Sequence, residues 1–215
     1  MLFETSDNIK INYKLTGKGK TIVLVNGFGA YQEIWSAQVS FLNNLGYQVL
    51  TYDHRNMGKS QRTEKGHNIA RLTQDLEELI SFLKIKQATF MGHSMGASII
   101  FCLIKKWPTV VKRALVIDQS PKMLNDRNWK YGFMDYTSEN YHEKCQERPH
   151  VHETFAGLDD DVYAKLMKAK EEDPFNRKDN VDLLENHMSL DWRKVIENAS
   201  IPITFFIAKE SPYYR

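Results

Sequence analysis

Short apolar runs alternate with stretches of helical periodicity along the first half of the chain. The runs are bounded by turn residues and rich in β-branched side chains, so they predict buried strands. They span residues 21–25, 48–52, 88–91 and 113–117. Between them, apolar residues recur at spacings of three, four and seven, most clearly from Ile69 to Leu83, and predict helices. This alternation is typical of an α/β fold with a mostly parallel sheet and helices on both faces.

The pattern changes after Asp118. From residue 119 to about 200 there is no convincing buried strand, and aromatic-rich loops and helical stretches take its place. A strand pattern returns at 201–207. We therefore expect the first part of an α/β core at 1–118, a helical cap at 119–200 and a return to the core at 201–215. Such an insertion is expected to cover the carboxyl edge of the sheet, where open α/β sheets bind ligands.

Charge and composition narrow the range of partners. The chain has 29 Lys and Arg against 27 Asp and Glu, which gives a net charge of +2. Because binding to phosphates needs a concentrated excess of Lys and Arg, we do not expect a nucleic-acid partner. No segment approaches the roughly 18 apolar residues of a membrane span, so no membrane partner is expected, and residues 1–7 do not resemble a signal peptide. Two cysteines, Cys102 and Cys145, cannot form a disulfide framework, so a cytoplasmic location is expected.

The sequence Gly92-His93-Ser94-Met95-Gly96 lies between a predicted strand and a predicted helix. In that context a G-x-S-x-G sequence predicts a strained turn that raises the serine hydroxyl above the edge of the sheet. The glycines allow close backbone packing, and the following helix N-terminus directs amides at developing negative charge. Ser94 is therefore the candidate nucleophile.

Taken together, four stretches resemble the α/β-hydrolase fold superfamily, and in particular its small serine esterases with a helical cap. They are Val-Asn-Gly-Phe-Gly at 25–29, Tyr-Asp-His-Arg-Asn-Met-Gly-Lys-Ser at 52–60, the motif around Ser94, and Asp-Trp-Arg at 191–193 with Ile-Pro-Ile-Thr-Phe at 201–205. The resemblance covers nearly all of residues 8–120 and again 190–213. It implies a serine hydrolase that acts on a small acyl substrate such as a carboxylic ester, without metal or organic cofactor.

The resemblance also implies an oxyanion hole formed by the backbone N–H groups of Phe28 and Met95. The family usually has His-Gly before the first of these positions, whereas this chain has Asn26-Gly27, so the hole is expected to be intact with altered supporting contacts. By the same resemblance, Asp53 and Arg55 brace the loops, and His54 is a loop residue without a catalytic role.

A serine nucleophile needs a base and an acid that orients it. Two carboxylates are candidates for the acid, Asp118 and Glu210, and we favour Asp118. Glu210 lies one residue before Ser211, and Ser211 occupies the position where the family often has Asp. The base is expected on a segment after residue 215, and His187 in the cap is the alternative within the chain.

Aromatic residues of the cap have two interpretations. Trp129 and Phe133, with Tyr131 and Phe155, either wall an acyl pocket or form the small core of the cap itself.

Cys145, His150 and His152 lack the spacing of a metal site, so they are interpreted as part of a polar region of the cap.

The leading hypothesis is hydrolysis through an acyl-enzyme on Ser94. The alternatives are a non-catalytic binding protein with the same fold, and an inactive fragment of the enzyme that lacks the base.

Overall fold

The structure, a computed structural model, describes residues 1–151 and 156–214. Within them the chain forms a seven-stranded sheet. Its strands are β1 (Leu2–Glu4), β2 (Lys10–Thr16), β3 (Thr21–Val25), β4 (Gln48–Tyr52), β5 (Ala88–His93), β6 (Val111–Ile117) and β7 (Ile203–Phe206). The four strands predicted from buried runs are all present, and the structure adds the short β1, whose three residues are too few for a periodicity signal.

The strand order is β1-β2-β4-β3-β5-β6-β7. The first two strands are antiparallel to their neighbours, and the remaining five run parallel. The sheet is therefore mostly parallel, as predicted. Because the carboxyl ends of β3, β5, β6 and β7 meet at one edge, residues that follow these strands are brought together there.

Seven α-helices lie among the described residues. They are α1 (Ser36–Asn44), α2 (Ile69–Phe82), α3 (Met95–Lys106), α4 (Tyr141–Cys145), α5 (Asp160–Glu172), α6 (Val181–Ser189) and α7 (Arg193–Glu197). The amphipathic α2 buries its predicted apolar stripe in the main core beside α3, which is buried along most of its length. None of the helices in the described part of the chain is long and apolar enough to cross a membrane.

Helices α4 to α7 all lie between β6 and β7, within the predicted cap. The later part of this region packs on the core. Leu183 and Trp192 belong to the same apolar cluster as the sheet, and the indole N–H of Trp192 donates to Ser98 Oγ at 3.1 Å.

The C-terminal end of α5 is tied to the loops after β3 and β4. The Tyr31 hydroxyl donates to the Asp173 carbonyl at 2.9 Å, and Lys59 forms an ion pair with Glu172 at 2.9 Å. These contacts hold the cap helix α5 against this side of the core.

The loop after β4 is braced by buried charges, as the resemblance implied. Arg55, 1% exposed, donates two hydrogen bonds of 2.7 Å to Asp75 and two of 3.0 Å to Asp7. Asp53 accepts hydrogen bonds from the backbone and side-chain nitrogens of Gln32, each at 2.9 Å. A buried cation is tolerated here because both of its carboxylate partners are in place.

Candidate active site

Ser94 lies on a sharp turn between β5 and α3. Its backbone has φ 51° and ψ −126°, a conformation that a residue with a side chain adopts at a cost of about 1–3 kcal/mol. The turn is held by a hydrogen bond from the Ser94 N–H to the Ile117 carbonyl at 3.0 Å, and by one from Ala97 to the Ser94 carbonyl at 2.8 Å. Ser94 is thus the first residue before a twelve-residue helix, at the positive end of its dipole.

The two motif glycines permit this turn because neither position has room for a side chain. A Cβ on Gly92 would lie 2.6 Å from Ile100 Cδ1, and a Cβ on Gly96 would overlap the carbonyl oxygen of Val25. The close approach at Gly96 brings the start of α3 against the end of β3. The loop that follows β3 therefore lies directly beside the nucleophile.

Gly27 and Phe28 form that loop. A Cβ built on Gly27 would lie 3.3 Å from Ser94 Cβ, tighter than an ordinary contact, so the glycine lets the loop run close beside Ser94. The backbone N–H groups of Phe28 and Met95 donate to no other group among residues 1–151 and 156–214. Among the described residues, two amides close to Ser94 in the fold or the chain are thus unpaired.

The Asn26 side chain anchors the loop that contains Gly27 and Phe28. Asn26 is 1% exposed; its Nδ2 donates to the Tyr52 carbonyl at 3.1 Å, and its Oδ1 accepts from the Trp35 indole at 2.6 Å. The backbone carbonyl of Asn26 lies 3.0 Å from His54 Nε2. His54 is fully buried, and burial lowers its pKa, so a neutral imidazole that donates through Nε2 fits this contact. These contacts hold the loop that contains Gly27 and Phe28.

Asp118 follows β6 and lies one strand away from the nucleophile. His93 on β5 pairs with Ile117 on β6, so Ser94 and Asp118 are the residues that directly follow a paired position on two neighbouring strands. The Ser211 hydroxyl donates to Asp118 Oδ2 at 3.5 Å, while Asp118 Oδ1 is buried without a partner among the described residues. Burial raises the pKa of Asp118, opposed by the Ser211 hydrogen bond and by attraction to His93.

Glu210, the other candidate for the acid, is exposed on the segment after β7. The residue that reaches Asp118 from this segment is Ser211, which the sequence places where the family often has Asp. This placement favours Asp118 over Glu210.

His187, the alternative base within the chain, is a poor candidate. It is 2% exposed, its Nδ1 has no hydrogen-bond partner in the described structure, and burial lowers its pKa to about 4. Within the described ranges, no side chain forms a hydrogen bond with the Ser94 hydroxyl. His187 is therefore a neutral, packed residue without contact to the nucleophile.

The two aromatic residues proposed for the substrate pocket lie in different surroundings. Trp129 lines a mainly apolar cavity of about 240 Å³, together with Gln119, Ser120, Pro121, Tyr131, Ile207 and Tyr214. Phe133 instead stacks on Tyr213, with ring centroids 5.1 Å apart, and packs in the apolar cluster of the cap. Trp129 thus fits a pocket wall, and Phe133 fits the small core of the cap.

Cap residues that the sequence did not single out cover the loop beside Ser94. Phe175 packs edge-on against Phe28 at 5.1 Å, and the guanidinium carbon of Arg177 lies 5.4 Å from the centroid of the Phe28 ring. No motif or periodicity marks either residue, because their position depends on how the cap docks on the core.

The described residues include no group of three or more His, Cys, Asp or Glu side chains placed to hold a metal. Cys145 is fully buried in the cap cluster, and His150 is exposed. His152 and Phe155, also considered in the sequence, lie outside the described residues.

Comparison with known proteins agrees with this geometry. The family model of the alpha/beta hydrolase fold matches residues 20–142, more than half of the chain. The chain belongs to the alpha/beta hydrolase fold family. The matched part of this alpha/beta hydrolase runs from β3 to α4 and includes Ser94, Asp118 and the loop at Phe28.

Individual relatives of this alpha/beta hydrolase include a non-heme chloroperoxidase of Burkholderia pyrrocinia, 32% identical over 94 residues, which are 43% of this chain and 34% of the relative. A bifunctional esterase/perhydrolase of Acinetobacter calcoaceticus is 26% identical over 123 residues, or 56% and 45% of the two chains. The chain thus matches less than half the length of either relative. The structure of an esterase from Exiguobacterium antarcticum superposes with a TM-score of 0.76 at 18% identity, over 95% of this chain and 79% of that one, which shows the shared fold.

Proposed function

We propose that this protein is a serine hydrolase that cleaves a carboxylic ester or a related small acyl substrate. The observation that carries the proposal is the arrangement around Ser94. The serine lies on a strained turn at a helix N-terminus, and the loop at Gly27 runs so close to it that an added Cβ would lie 3.3 Å from Ser94 Cβ. A serine with unpaired amide donors on the adjoining loop and on the next residue is the arrangement that acyl transfer requires.

In the proposed reaction, Ser94 Oγ forms a bond to the carbonyl carbon of the substrate as its proton passes to an imidazole base. The carbonyl oxygen becomes an oxyanion that accepts hydrogen bonds from the Phe28 and Met95 amides. Collapse of this intermediate breaks the bond to the leaving alkoxide, which takes the proton from the base. Water then attacks the acyl-enzyme by the same route and releases the acid.

Asp118 is proposed to orient the base and stabilise its protonated form. The support is that Asp118 Oδ1 is buried and unpaired among the described residues, at the level of Ser94 on the next strand. An unpaired buried carboxylate oxygen is stabilised when an imidazolium N–H donates to it. No metal or organic cofactor takes part in this proposal.

Labelling with a fluorophosphonate probe tests the nucleophile. We expect stoichiometric modification of the protein, located at Ser94 by peptide mass spectrometry and abolished in Ser94→Ala. Ser40→Ala is the matched control, because Ser40 is an exposed serine on α1 and should leave labelling unchanged. Modification elsewhere would refute the proposal, and so would a lack of reaction in a folded protein that includes the segment on which the base is expected.

A second candidate function is ligand binding without catalysis. One observation favours it: no side chain of the described residues forms a hydrogen bond with the Ser94 hydroxyl, so no contact in this structure activates it. A folded protein that binds acyl compounds but does not react with the fluorophosphonate would support this alternative.

A further inference from the structure

Arg177 is a cation without a counter-ion among the described residues, and it packs on Phe28. It is half-buried, and no carboxylate forms an ion pair with it within residues 1–151 and 156–214. Its Nε is buried and has no hydrogen-bond acceptor in the same ranges. Buried charges in proteins are normally paired, because an unpaired charge in a poorly solvated place is costly. Arg55 in this same chain illustrates the rule with its two carboxylate partners.

Part of the Arg177 guanidinium has a structural role. Its Nη2 donates to the carbonyls of Cys145 and Glu147 at 3.0 Å and 2.8 Å, where α4 ends. Those two bonds employ neutral acceptors, so they do not compensate the positive charge. Neither Nε nor Nη1 forms a hydrogen bond among the described residues.

The position of Arg177 points to the substrate as that partner. Its guanidinium carbon lies 5.4 Å from the centroid of the Phe28 ring. The backbone N–H of the same Phe28 is one of the two unpaired donors beside Ser94. The cation therefore packs on the side chain of a residue whose backbone amide is proposed to bind the ester carbonyl oxygen.

The surroundings strengthen the effect of this charge. The Phe28 ring packs against Arg177, and among the described residues the titratable groups that act on its charge are Tyr136 and Cys145, both uncharged at neutral pH, and the cation Arg148. Burial lowers the pKa of Arg177, in line with an environment that solvates the cation poorly. In such a place an anion gains more from a guanidinium than it would in water.

We propose that Arg177 binds a carboxylate that the substrate carries at a distance from the ester attacked by Ser94. The preferred substrate is then the half-ester of a dicarboxylic acid or a similar anionic ester, rather than a neutral alkyl ester. This inference rests on the proposed function, since it assigns the substrate class of the same site.

The test compares two esters of equal acyl length that differ in charge: mono-p-nitrophenyl adipate and p-nitrophenyl hexanoate. We expect the protein to prefer the adipate in kcat/KM. Arg177→Gln retains a donor for the carbonyls at the end of α4 but removes the charge. It should raise KM for the adipate by roughly tenfold or more, the factor expected for a charge-assisted hydrogen bond, and leave the hexanoate unchanged. Arg177→Lys should restore part of the preference.

Arg62→Gln is the matched control. In the described part of the chain Arg62 likewise donates to backbone carbonyls alone, those of Gly58, Ser60 and Asp173, and it has no ring contact with Phe28. This variant should keep the preference for the adipate. Equal kcat/KM for the two esters in the unaltered protein would overturn the inference, and so would an equal loss for both esters in Arg177→Gln.

Binding measurements separate this inference from the proposed function. If neither ester is hydrolysed, the proposed hydrolase activity fails, and titration calorimetry with monomethyl adipate and methyl hexanoate still tests Arg177. Binding of the adipate alone, lost in Arg177→Gln, supports the anion site. Absence of adipate binding in the unaltered protein overturns it.

Discussion

Replacing Asn26 by alanine is expected to destabilise the protein and slow the reaction of Ser94 together. Asn26 is 1% exposed and links the Trp35 indole to the Tyr52 carbonyl through its side chain. Truncation leaves the Trp35 N–H buried without a partner, at a cost of about 1–3 kcal/mol. Loss of the bond to Tyr52 adds about 0.5–1.5 kcal/mol. The expected decrease in the free energy of unfolding is therefore about 1.5–4.5 kcal/mol.

Urea unfolding followed by far-UV circular dichroism measures this decrease, and a double-mutant cycle identifies its cause. Trp35→Phe keeps most of the ring volume but removes the N–H that donates to Asn26 Oδ1 at 2.6 Å. With both changes, neither a donor nor an acceptor of that pair remains unpaired. The double variant should therefore be more stable than the sum of the single effects predicts, by about 1–3 kcal/mol.

The same variant reports on the loop beside the nucleophile. Asn26 precedes Gly27, so a loosened anchor should displace the Phe28 amide and slow fluorophosphonate labelling of Ser94 under conditions where the protein is folded. Our reasoning would be refuted by a stability loss below about 1 kcal/mol in Asn26→Ala, or by single effects that add to within about 0.5 kcal/mol.

Two other changes test packing and charge. Gly96→Ala is expected to cost about 1–3 kcal/mol in urea unfolding, because the new methyl group overlaps the Val25 carbonyl; an unchanged midpoint would contradict the packing seen here. Burial raises the pKa of Asp7, but hydrogen bonds from Arg55 and Thr5 outweigh it and lower the pKa from 3.8 to about 2. Between the two pKa values the unfolded state binds more protons than the folded state. The stabilisation that Asp7 provides above about pH 4 should therefore be lost as the pH falls towards 2. For this partly exposed group the loss in the free energy of unfolding is on the order of 1 kcal/mol. Asp7→Asn should remove this part of the acid dependence, and an identical acid profile in that variant would count against the assignment.

The parts of the fold that the sequence predicted are those governed by local rules. The buried β-branched runs form β3 to β6, because burial of both faces of a strand leaves a continuous apolar run. The stripe from Ile69 to Leu83 forms α2, because burial of one face of a helix leaves a periodic one. The turn at Ser94 was predictable for a similar reason, since its glycines are required by contacts within the motif and with the adjoining strand.

The remaining features depend on contacts between distant parts of the chain. Nothing in the local sequence of Arg177 shows that it lies over Phe28, and nothing distinguishes Trp129, which lines the cavity, from Phe133, which packs inside the cap. The choice between Asp118 and Glu210 likewise needed the sheet register, which places Asp118 level with Ser94.

The region between β6 and β7 is attached unevenly to the sheet. Tyr31, Lys59 and Arg62 bind the end of α5 on the β3–β4 side of the sheet, so opening there would break two hydrogen bonds and an ion pair at once. The cavity at Trp129 opens on the β6–β7 side, where Tyr131 and Ile207 are more than 60% exposed. The two features lie on opposite sides of β5, so the contacts that hold α5 and the cavity at Trp129 occupy different flanks of the sheet.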